Sequence, residues 1–346
     1  MQMTPIRNFI LFVLMLFAGM PWLLGPARAA TCTTEAQMTA AQRDSLAQAA
    51  RKLAGLVQQG NVAAAKADTL PVVAANFDGI AASITALHPN IAQASVVIYD
   101  MYALDASTEP AGGGQVDFYC GSPVVVFNFT GLPPGKYGVV ILHATGVPKP
   151  QQIALIFAEA SPGQWQLAGF VSKPMLLAGH DGLWYWTQGR AYAQKNMDWD
   201  AWFYLQTAAD LLNPADYVSS PNLGKLQQEA EKVRPSALPA GQPMTLTSNG
   251  QSYSITALAP SAEFGPLDLE INYSPTASQV AILRDPVAAR QQAVAIMQAL
   301  LAQHPELRQA FHGLWVQANQ NNATIYSLEL PMNQIAPATA QAAAAH

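Results

Sequence analysis

Charged side chains are scarce in this sequence. Lys, Arg, Asp and Glu make up 11% of the 346 residues, whereas hydrophobic residues make up 51%. The 17 basic residues are scattered, and the formal net charge of -5 becomes -7 if Arg7 and Arg28 are removed with an N-terminal leader. Phosphate binding requires clustered Lys and Arg, so the composition predicts no nucleic-acid partner. Solubility must instead come from neutral polar residues such as Gln, Asn, Ser and Thr.

Long apolar runs are missing beyond residue 30, where no stretch approaches the roughly 18 residues of a membrane-spanning helix. The N-terminus, in contrast, does contain a long apolar run. Arg7, the apolar run 9–24 and the small residues of Ala27-Arg28-Ala29-Ala30 follow one another as in a secretory signal peptide. A glycine and a proline interrupt the run, which favours cleavage after Ala29 or Ala30 over an uncleaved anchor. We therefore predict a signal peptide at 1–30 and a periplasmic or secreted protein without membrane insertion after cleavage.

Cysteine is almost absent, since the chain contains only Cys32 and Cys120. Both follow the predicted cleavage site, and a pair of cysteines in an oxidising compartment predicts one disulfide. Lipidation of Cys32 is the alternative. It fits poorly, because the preceding residues lack the usual large aliphatic residue and because Cys120 would be left unpaired.

Motifs for catalysis, metal binding and nucleotide binding are also absent. No two of the six histidines lie four residues apart with an acid between them, as a helical zinc motif requires. Nucleophile motifs such as Gly-x-Ser-x-Gly and Ser-x-x-Lys are missing, as are phosphate-binding loops. We therefore predict no metal ligand, no cofactor and no catalytic residue.

The first half of the chain changes from a helical to a strand-like pattern near residue 90. Apolar residues at 46, 50, 53 and 57 indicate an amphipathic helix that ends at Gly60-Asn61. A second helical segment runs from 62 to 71, and a third runs from about 73 to a break at 87–90. Six segments rich in β-branched and aromatic residues follow, at 94–104, 116–119, 124–129, 136–143, 153–158 and 165–171. Helices followed by hairpin-connected strands predict an α+β domain with an antiparallel sheet.

This order of helices and strands resembles the NTF2-like cone fold over residues 35 to about 175. Two phrases carry the likeness, one at 56–61 near the end of the first helix and one at 164–167 at the start of the last strand. The resemblance implies a space between sheet and helices that holds a small ligand, a catalytic site or a packed core. An unrelated α+β layer remains an alternative, and so does a β-sandwich module, in which the turn at 133–137 also occurs.

A helix-turn-helix is predicted at 181–214 because small, aromatic and apolar residues fall at nearly the offsets of a tetratricopeptide repeat. These residues are Tyr185, Gly189, Tyr192, Ala201, Leu205, Ala208 and Pro214. The segment resembles one repeat of that family, which implies a peptide-binding groove. Only one copy is present, whereas a solenoid needs three or more. We therefore expect the hairpin to cap the preceding sheet.

The C-terminal part begins after a proline-rich linker at 234–243. Strands are predicted at 244–247, 252–258 and 267–273, a helix at 285–304, and two further strands at 315–318 and 324–330. The predicted fold class is thus α+β: N-terminal helices with an antiparallel sheet, a helical hairpin, and a β-β-β-α-β-β domain. The predicted boundaries are 1–30 for the signal, 31–178 for the N-terminal domain, 179–233 for the hairpin plus one helix, 234–243 for the linker, 244–335 for the C-terminal domain and 336–346 for a disordered tail.

Two aromatic clusters are the candidate contact sites. In the first, Asp181 could orient the imidazole of His180 while aromatic walls stack a flat ligand. Alternatively Asp181 caps a helix and the aromatic residues pack. The second cluster, around Asp198 and Asp200, could line a groove for a peptide or glycan, or could start a helix. The candidate residues are His180, Asp181, Trp184, Trp186, Trp199 and Trp202.

The leading functional hypothesis is an exported cell-envelope protein with a non-catalytic binding or assembly role. Its partner would be a protein, a peptide or a small molecule. The alternative is a hydrolase or isomerase that acts on a small molecule within the first domain, with His143 or His180 as the base.

Overall fold

The computed structural model describes residues 30–110, 112–121 and 124–336. The predicted signal peptide at 1–30 and the predicted tail at 336–346 therefore lie outside the described residues, except for one residue of each. Helix accounts for 38% and strand for 35% of the structure, with antiparallel sheets, which confirms the α+β class.

The N-terminal helices follow a short strand. The elements are β1 (Thr31–Thr34), α1 (Ala40–Gln58), α2 (Val62–Ala67), α3 (Pro71–Ala74) and α4 (Asp78–Ile91). The first helix ends as predicted, with Gly60 at a positive φ of 64°. The predicted break at 87–90 is wrong, because α4 continues through Pro89 to Ile91. Burial of Leu87 and Ile91 stabilises this last turn although Pro89 donates no backbone hydrogen bond.

Six strands follow the helices, close to the predicted positions. They are β2 (Ser95–Asp105), β3 (Gln115–Cys120), β4 (Val125–Thr130), β5 (Lys136–Thr145), β6 (Gln151–Ser161) and β7 (Gln164–Pro174). The first sheet is antiparallel with the order β1-β2-β5-β6-β7. Strands β3 and β4 pair in a second, smaller sheet.

Both faces of the first sheet contain buried side chains. Along β5, Val140 and Leu142 share a core with the side chains of α1 and α4. The alternate residues Val139 and Ile141 share a core with Phe118 and Phe127 of the smaller sheet. Because side chains alternate across a strand, helices cover one face of the first sheet and the smaller sheet covers part of the other.

A helical hairpin connects the two halves of the chain. Its elements are β8 (Leu176–Leu177), β9 (His180–Asp181), α5 (Gly182–Gln194) and α6 (Asp198–Leu212), followed by β10 (Val218–Ser219) and α7 (Pro221–Lys232). Strand β10 pairs with β4, so the smaller sheet has the order β10-β4-β3. Residues 218–219, which lie within the predicted hairpin segment 179–233, thus belong to a sheet of the N-terminal part. The predicted domain boundaries stay predictions.

The C-terminal part has one mixed sheet. Its elements are β11 (Met244–Ser248), β12 (Gln251–Ser261), β13 (Asp268–Ser274), α8 (Ala277–Ile282), α9 (Pro286–Gln303), α10 (Leu307–Ala310), β14 (Gly313–Gln320) and β15 (Ala323–Pro331). The strands lie in sequence order, and β13 and β14 are parallel because the helices cross over between them. The order contains the predicted β-β-β-α-β-β succession and adds two short helices.

The hairpin shares its core with the C-terminal sheet rather than mainly capping the preceding sheet as expected. Tyr185, Phe203 and Leu205 belong to the same buried cluster as Ile271 and Val316. The outer face of the first sheet is already covered in part by the smaller sheet, and the buried residues of the hairpin pack against the C-terminal sheet instead.

Among the described residues, no helix has both the length and the hydropathy needed to span a bilayer.

Candidate functional site: a cavity between the N-terminal sheets and the hairpin

A cavity of about 420 Å³ lies where the two N-terminal sheets meet the hairpin. Strands β2, β5 and β6 form one wall, and β4, β10 and the ends of α5, α6 and α7 form the others. The side chains in its lining are mostly apolar or aromatic, with a few polar groups, which is the usual make-up of a small-molecule site. The residues used below are Tyr99, Asp100, Tyr102, Phe127, His143, Gln152, Asp181, Leu183 and Trp186.

A β-bulge in β2 brings two neighbouring residues to this cavity. Ile98 pairs with Leu142, but the next paired residue is Asp100, opposite Ile141, so Tyr99 is the extra residue. Successive residues of a regular strand point to opposite faces, whereas a bulge changes the direction of its side chains. Tyr99 and Asp100 consequently both line the cavity.

Aromatic rings form much of the wall. The Tyr99 ring stacks on the imidazole of His143, with centroids 4.0 Å apart and planes 16° apart. The Tyr102 ring meets Phe127 edge-on at 4.9 Å. Tyr99 and Leu183 are 61% and 59% exposed, so they give the cavity an apolar rim that solvent can reach.

The ionisable groups of the cavity favour neutral or positively charged ligands. Burial, and next the nearby Glu35, raises the pKa of the Asp100 carboxyl. Burial lowers the pKa of His143, which favours the neutral imidazole. Burial also raises the pKa of Tyr102 to about 12, with smaller contributions from Asp100 and Tyr99. None of the described residues that line the cavity is Lys or Arg. An anionic ligand would therefore meet carboxylates without a compensating base.

Gln152 connects the first sheet to the hairpin at the edge of the cavity. Its amide Nε2 donates a hydrogen bond of 2.7 Å to the carbonyl oxygen of Leu211, near the end of α6. The side chain of Gln152 is buried, and an amide in such a place needs a partner. This hydrogen bond holds the hairpin wall against β6.

Two of the six predicted contact residues, Asp181 and Trp186, line the cavity. The Asp181 carboxylate accepts a hydrogen bond of 2.8 Å from the backbone N–H of Trp184, so it also caps α5. His180 and Trp184 do not line the cavity; their rings stack on each other with centroids 3.7 Å apart. His143, the other candidate base, does line it.

Trp186 is held in place by charged partners. Its indole N–H donates a hydrogen bond of 2.7 Å to a carboxylate oxygen of Glu229. The same carboxylate accepts two hydrogen bonds from Arg190, of 2.7 and 2.9 Å. The guanidinium lies 4.4 Å from the centre of the Trp186 ring. The ring is therefore fixed at the cavity wall before any ligand binds.

Trp199 and Trp202 lie away from the cavity. Trp199 is 6% exposed, and its ring lies against the imidazole of His304 with centroids 3.9 Å apart. Trp202 is partly buried beside the guanidinium of Arg234, at 5.2 Å. Both side chains pack in or against the core that the hairpin shares with the C-terminal sheet, and neither is brought together with Asp181 or Trp186.

The predicted disulfide is confirmed. Cys32 of β1 is bonded to Cys120 of β3, and their Cα atoms are 5.2 Å apart. Because β1 belongs to the first sheet and β3 to the smaller one, the bond fastens together the two sheets that border the cavity.

A second cavity of about 510 Å³ lies at the edge of α1. Charged side chains of that helix border it, including Arg43, Asp44 and Arg51. Arg43 and Asp44 form a loose, exposed ion pair of 3.7 Å. This arrangement resembles an ordinary solvated surface more than an apolar site with a few convergent polar groups.

Sequence reasoning missed most of the cavity, above all the side chains of Tyr99, Asp100 and Tyr102. One signal was available: an acid flanked by tyrosines within an otherwise apolar strand. A buried strand seldom contains a carboxylate unless the group has a partner or a function.

No protein family model matches this chain, and neither the curated proteins nor the solved structures contain a match to it.

Proposed function

We propose that this is an exported binding protein that takes a small organic ligand into the cavity between its N-terminal sheets and the hairpin. The ligand has an apolar or aromatic body and a neutral or positively charged polar group. One observation carries the proposal: an aromatic cavity of about 420 Å³ contains two carboxylates, while no described residue of its lining is Lys or Arg.

The charge preference follows from electrostatics. An ammonium group would be attracted by Asp100 and Asp181 and by the faces of the surrounding rings. Trp186, already fixed by Glu229 and Arg190, would stack on the apolar body without losing conformational freedom on binding.

Export is the second part of the proposal. The disulfide between Cys32 and Cys120 is compatible with an oxidising compartment. Residues 1–30 have the pattern of a signal peptide, which would direct the chain to such a compartment. We infer that the chain is cleaved after Ala29 or Ala30 and acts in the periplasm or outside the cell.

We also retain the two resemblances as proposals. A Cβ atom at Gly189 would lie 2.8 Å from Leu205, so the two helices are in close contact, which supports a tetratricopeptide-type hairpin. For the NTF2-like resemblance, the support is the layer of α1 and α4 on the first sheet. The cavity, however, lies at the other face of that sheet.

The first prediction tests the charge preference. The variant Asp100→Asn keeps the shape of the side chain and removes its charge. We expect it to bind tryptamine about 10-fold more weakly, because a nearby opposite charge is lost. Its binding of N-phenyl-1-naphthylamine, a neutral apolar fluorophore, should be unchanged. Isothermal titration calorimetry measures the first ligand, and fluorescence measures the second.

The matched control is Asp44→Asn, which removes the same charge from an exposed position on α1. It should leave both affinities unchanged. Indole-3-acetate, which has the ring of tryptamine and the opposite charge, should bind wild-type protein more weakly than tryptamine does. Equal affinities for the two indoles, or equal effects of the two variants, would refute the proposed ligand class.

A small-molecule hydrolase or isomerase is the second candidate function. It is favoured by the presence of His143 and Asp100 in one cavity, where burial lowers the pKa of the imidazole and raises the pKa of the carboxyl. Mass spectrometry of a bound ligand over time distinguishes the two functions. Turnover that is lost in His143→Ala while binding persists would establish an enzyme.

A further inference from the structure

Three potential metal ligands converge on the outer side of the C-terminal sheet. Asp268 is the first residue of β13, His312 directly precedes β14, and Glu329 lies near the end of β15. One ligand atom from each residue lies within 4.8 Å of the other two. His312 Nδ1 is 3.2 Å from Asp268 Oδ1. The three residues are far apart in sequence, so no spacing motif could have indicated them.

A glycine in the central strand makes this convergence possible. Gly313 pairs with Asp268 on one side, and the strand that carries Glu329 lies on its other side. A Cβ atom at position 313 would lie 2.8 Å from both Asp268 Oδ1 and Glu329 Oε1. Such distances do not occur between real Cβ atoms and oxygens. The absent side chain therefore leaves the space in which the two carboxylates meet above β14.

In the part of the chain that the structure describes, the two carboxylates are not paired with a Lys or Arg. His312 is the partner of Asp268. Glu329 Oε1 is buried and accepts no hydrogen bond from the part of the chain that the structure describes. Asp268 is 1% exposed. Two carboxylates held this close repel each other unless a proton or a metal ion lies between them.

We propose that Asp268, His312 and Glu329 bind a divalent transition metal ion of the Zn²⁺ type. One imidazole nitrogen and two carboxylate oxygens form a donor set that suits Zn²⁺ and its neighbours, whereas Mg²⁺ and Ca²⁺ take oxygen ligands. Three protein ligands leave at least one coordination position open. The side chain of His312 is 48% exposed, so water or a ligand can reach that position.

The test uses the full mature chain, freed of metal by dialysis against a chelator and titrated with Zn²⁺ by calorimetry. Wild-type protein should bind one Zn²⁺ per chain. His312→Ala and Glu329→Gln should each weaken this binding by about 10-fold or more, by analogy with the loss seen when groups around a metal site are removed. Co²⁺ should give visible absorption bands of a four- or five-coordinate site, and these bands should disappear in both variants.

His180→Ala is the matched control, because His180 is another exposed histidine that lies beside an aspartate. It should leave Zn²⁺ binding intact. Circular dichroism of each variant establishes that it is folded, and substitution of the half-exposed His312 leaves the buried sheet face untouched. Absence of stoichiometric binding, or binding that survives in both His312→Ala and Glu329→Gln, would overturn the proposal and leave Asp268 and His312 as an ordinary hydrogen-bonded pair.

Discussion

At the scale of single residues, Asp200 is the most unusual group outside the cavity and the proposed metal site. It is the third residue of α6 and is 0% exposed. Neither carboxylate oxygen has a hydrogen-bond partner among the described residues. Burial, and next the carboxylate of Glu306, raises its pKa to about 7. Tyr192 and Tyr204 lie on the same hairpin and interact with this charge.

We predict that Asp200 makes the stability of the folded chain depend on pH between about 4 and 7. In the folded state the carboxyl holds its proton up to pH about 7, whereas in the unfolded chain it does so only up to about 4. This contribution to stability is therefore complete below pH about 4, declines as the pH rises to about 7, and then stays constant. Asp200→Asn removes the decline and should be about 1 to 3 kcal/mol more stable than wild type at pH 8.

Urea unfolding at pH 4, 6 and 8 measures this difference. Asp198→Asn is the control, because Asp198 starts the same helix but is exposed. Asp198→Asn should not be more stable than wild type at high pH. Its free energy of unfolding should be lower by a few tenths of a kcal/mol, because the substitution removes a favourable negative charge from the helix N-terminus. If the stability of Asp200→Asn changed with pH in parallel with that of wild type, burial would not raise the pKa of the Asp200 carboxyl.

The sequence alone could not separate these two aspartates. Its pattern predicted both at the start of a helix or in a groove, and either interpretation applied to Asp198 and Asp200 alike. Only the packing of α6 against the C-terminal half buries one of them and leaves the other in solvent.

At the scale of secondary-structure elements, the contact between α5 and α6 depends on small residues. A Cβ atom at Gly189 would lie 2.8 Å from Leu205 Cγ, 2.9 Å from its Cδ2 and 3.2 Å from its backbone nitrogen. The backbone nitrogen has little freedom to move. Any side chain at 189 therefore pushes the two helices apart.

We predict that Gly189→Ala lowers the free energy of unfolding by about 1 to 3 kcal/mol, the usual effect of overpacking a core. Gly224→Ala is the matched control. It makes the same change inside α7, where a Cβ atom would meet nothing within 4 Å. That variant should gain about 0.5 to 1 kcal/mol, since Ala favours a helix. Chemical denaturation measures both, and a neutral or stabilising Gly189→Ala would contradict the close contact.

The elements were largely predictable from the sequence, because their patterns are local. The strands from β2 to β7 and the long helices α1 and α9 follow from periodicity and turn residues. Asn249-Gly250, which separates the predicted strands 244–247 and 252–258, has positive φ at both residues, as a tight hairpin turn requires. The end of α4 was missed because burial of Ile91 outweighs the effect of Pro89. Strand β10 has two residues, too few for any periodicity, and is formed only by pairing with β4.

At the scale of the whole molecule, the disulfide joins the two N-terminal sheets across 88 residues of chain. We predict that the double variant Cys32→Ala with Cys120→Ala is less stable by about 4 to 5 kcal/mol in the chain-entropy model. Hydrogen exchange by mass spectrometry should become faster in β1, β3 and β4.

The internal control for that experiment is the C-terminal sheet. Strands β13 and β14 contain no cysteine and lie in a different buried cluster, so their exchange at native pH should change least. Uniformly faster exchange would indicate one cooperative unit, and unchanged exchange in β3 would contradict a structural role for the bond.

The cavity itself could be predicted only in part. Asp181 and Trp186 were identified because an acid and aromatic residues cluster in the sequence. The remaining walls come from β2, β4, β5, β6 and β10, and their approach depends on tertiary pairing and on the bulge at Tyr99. The proposed metal ligands are distributed in the same way over β13, β15 and the residue before β14. Local patterns contain no information about such distant contacts.

The hairpin has one further consequence for the whole chain. It supplies a wall of the cavity through Asp181 and Trp186, and it supplies Tyr185 and Phe203 to the interior of the C-terminal half. Occupancy of the cavity is therefore thermodynamically linked to the folding of a sheet that the ligand never touches. Hydrogen exchange in that distant sheet should therefore become slower when a ligand binds, although by less than in the sheets that border the cavity.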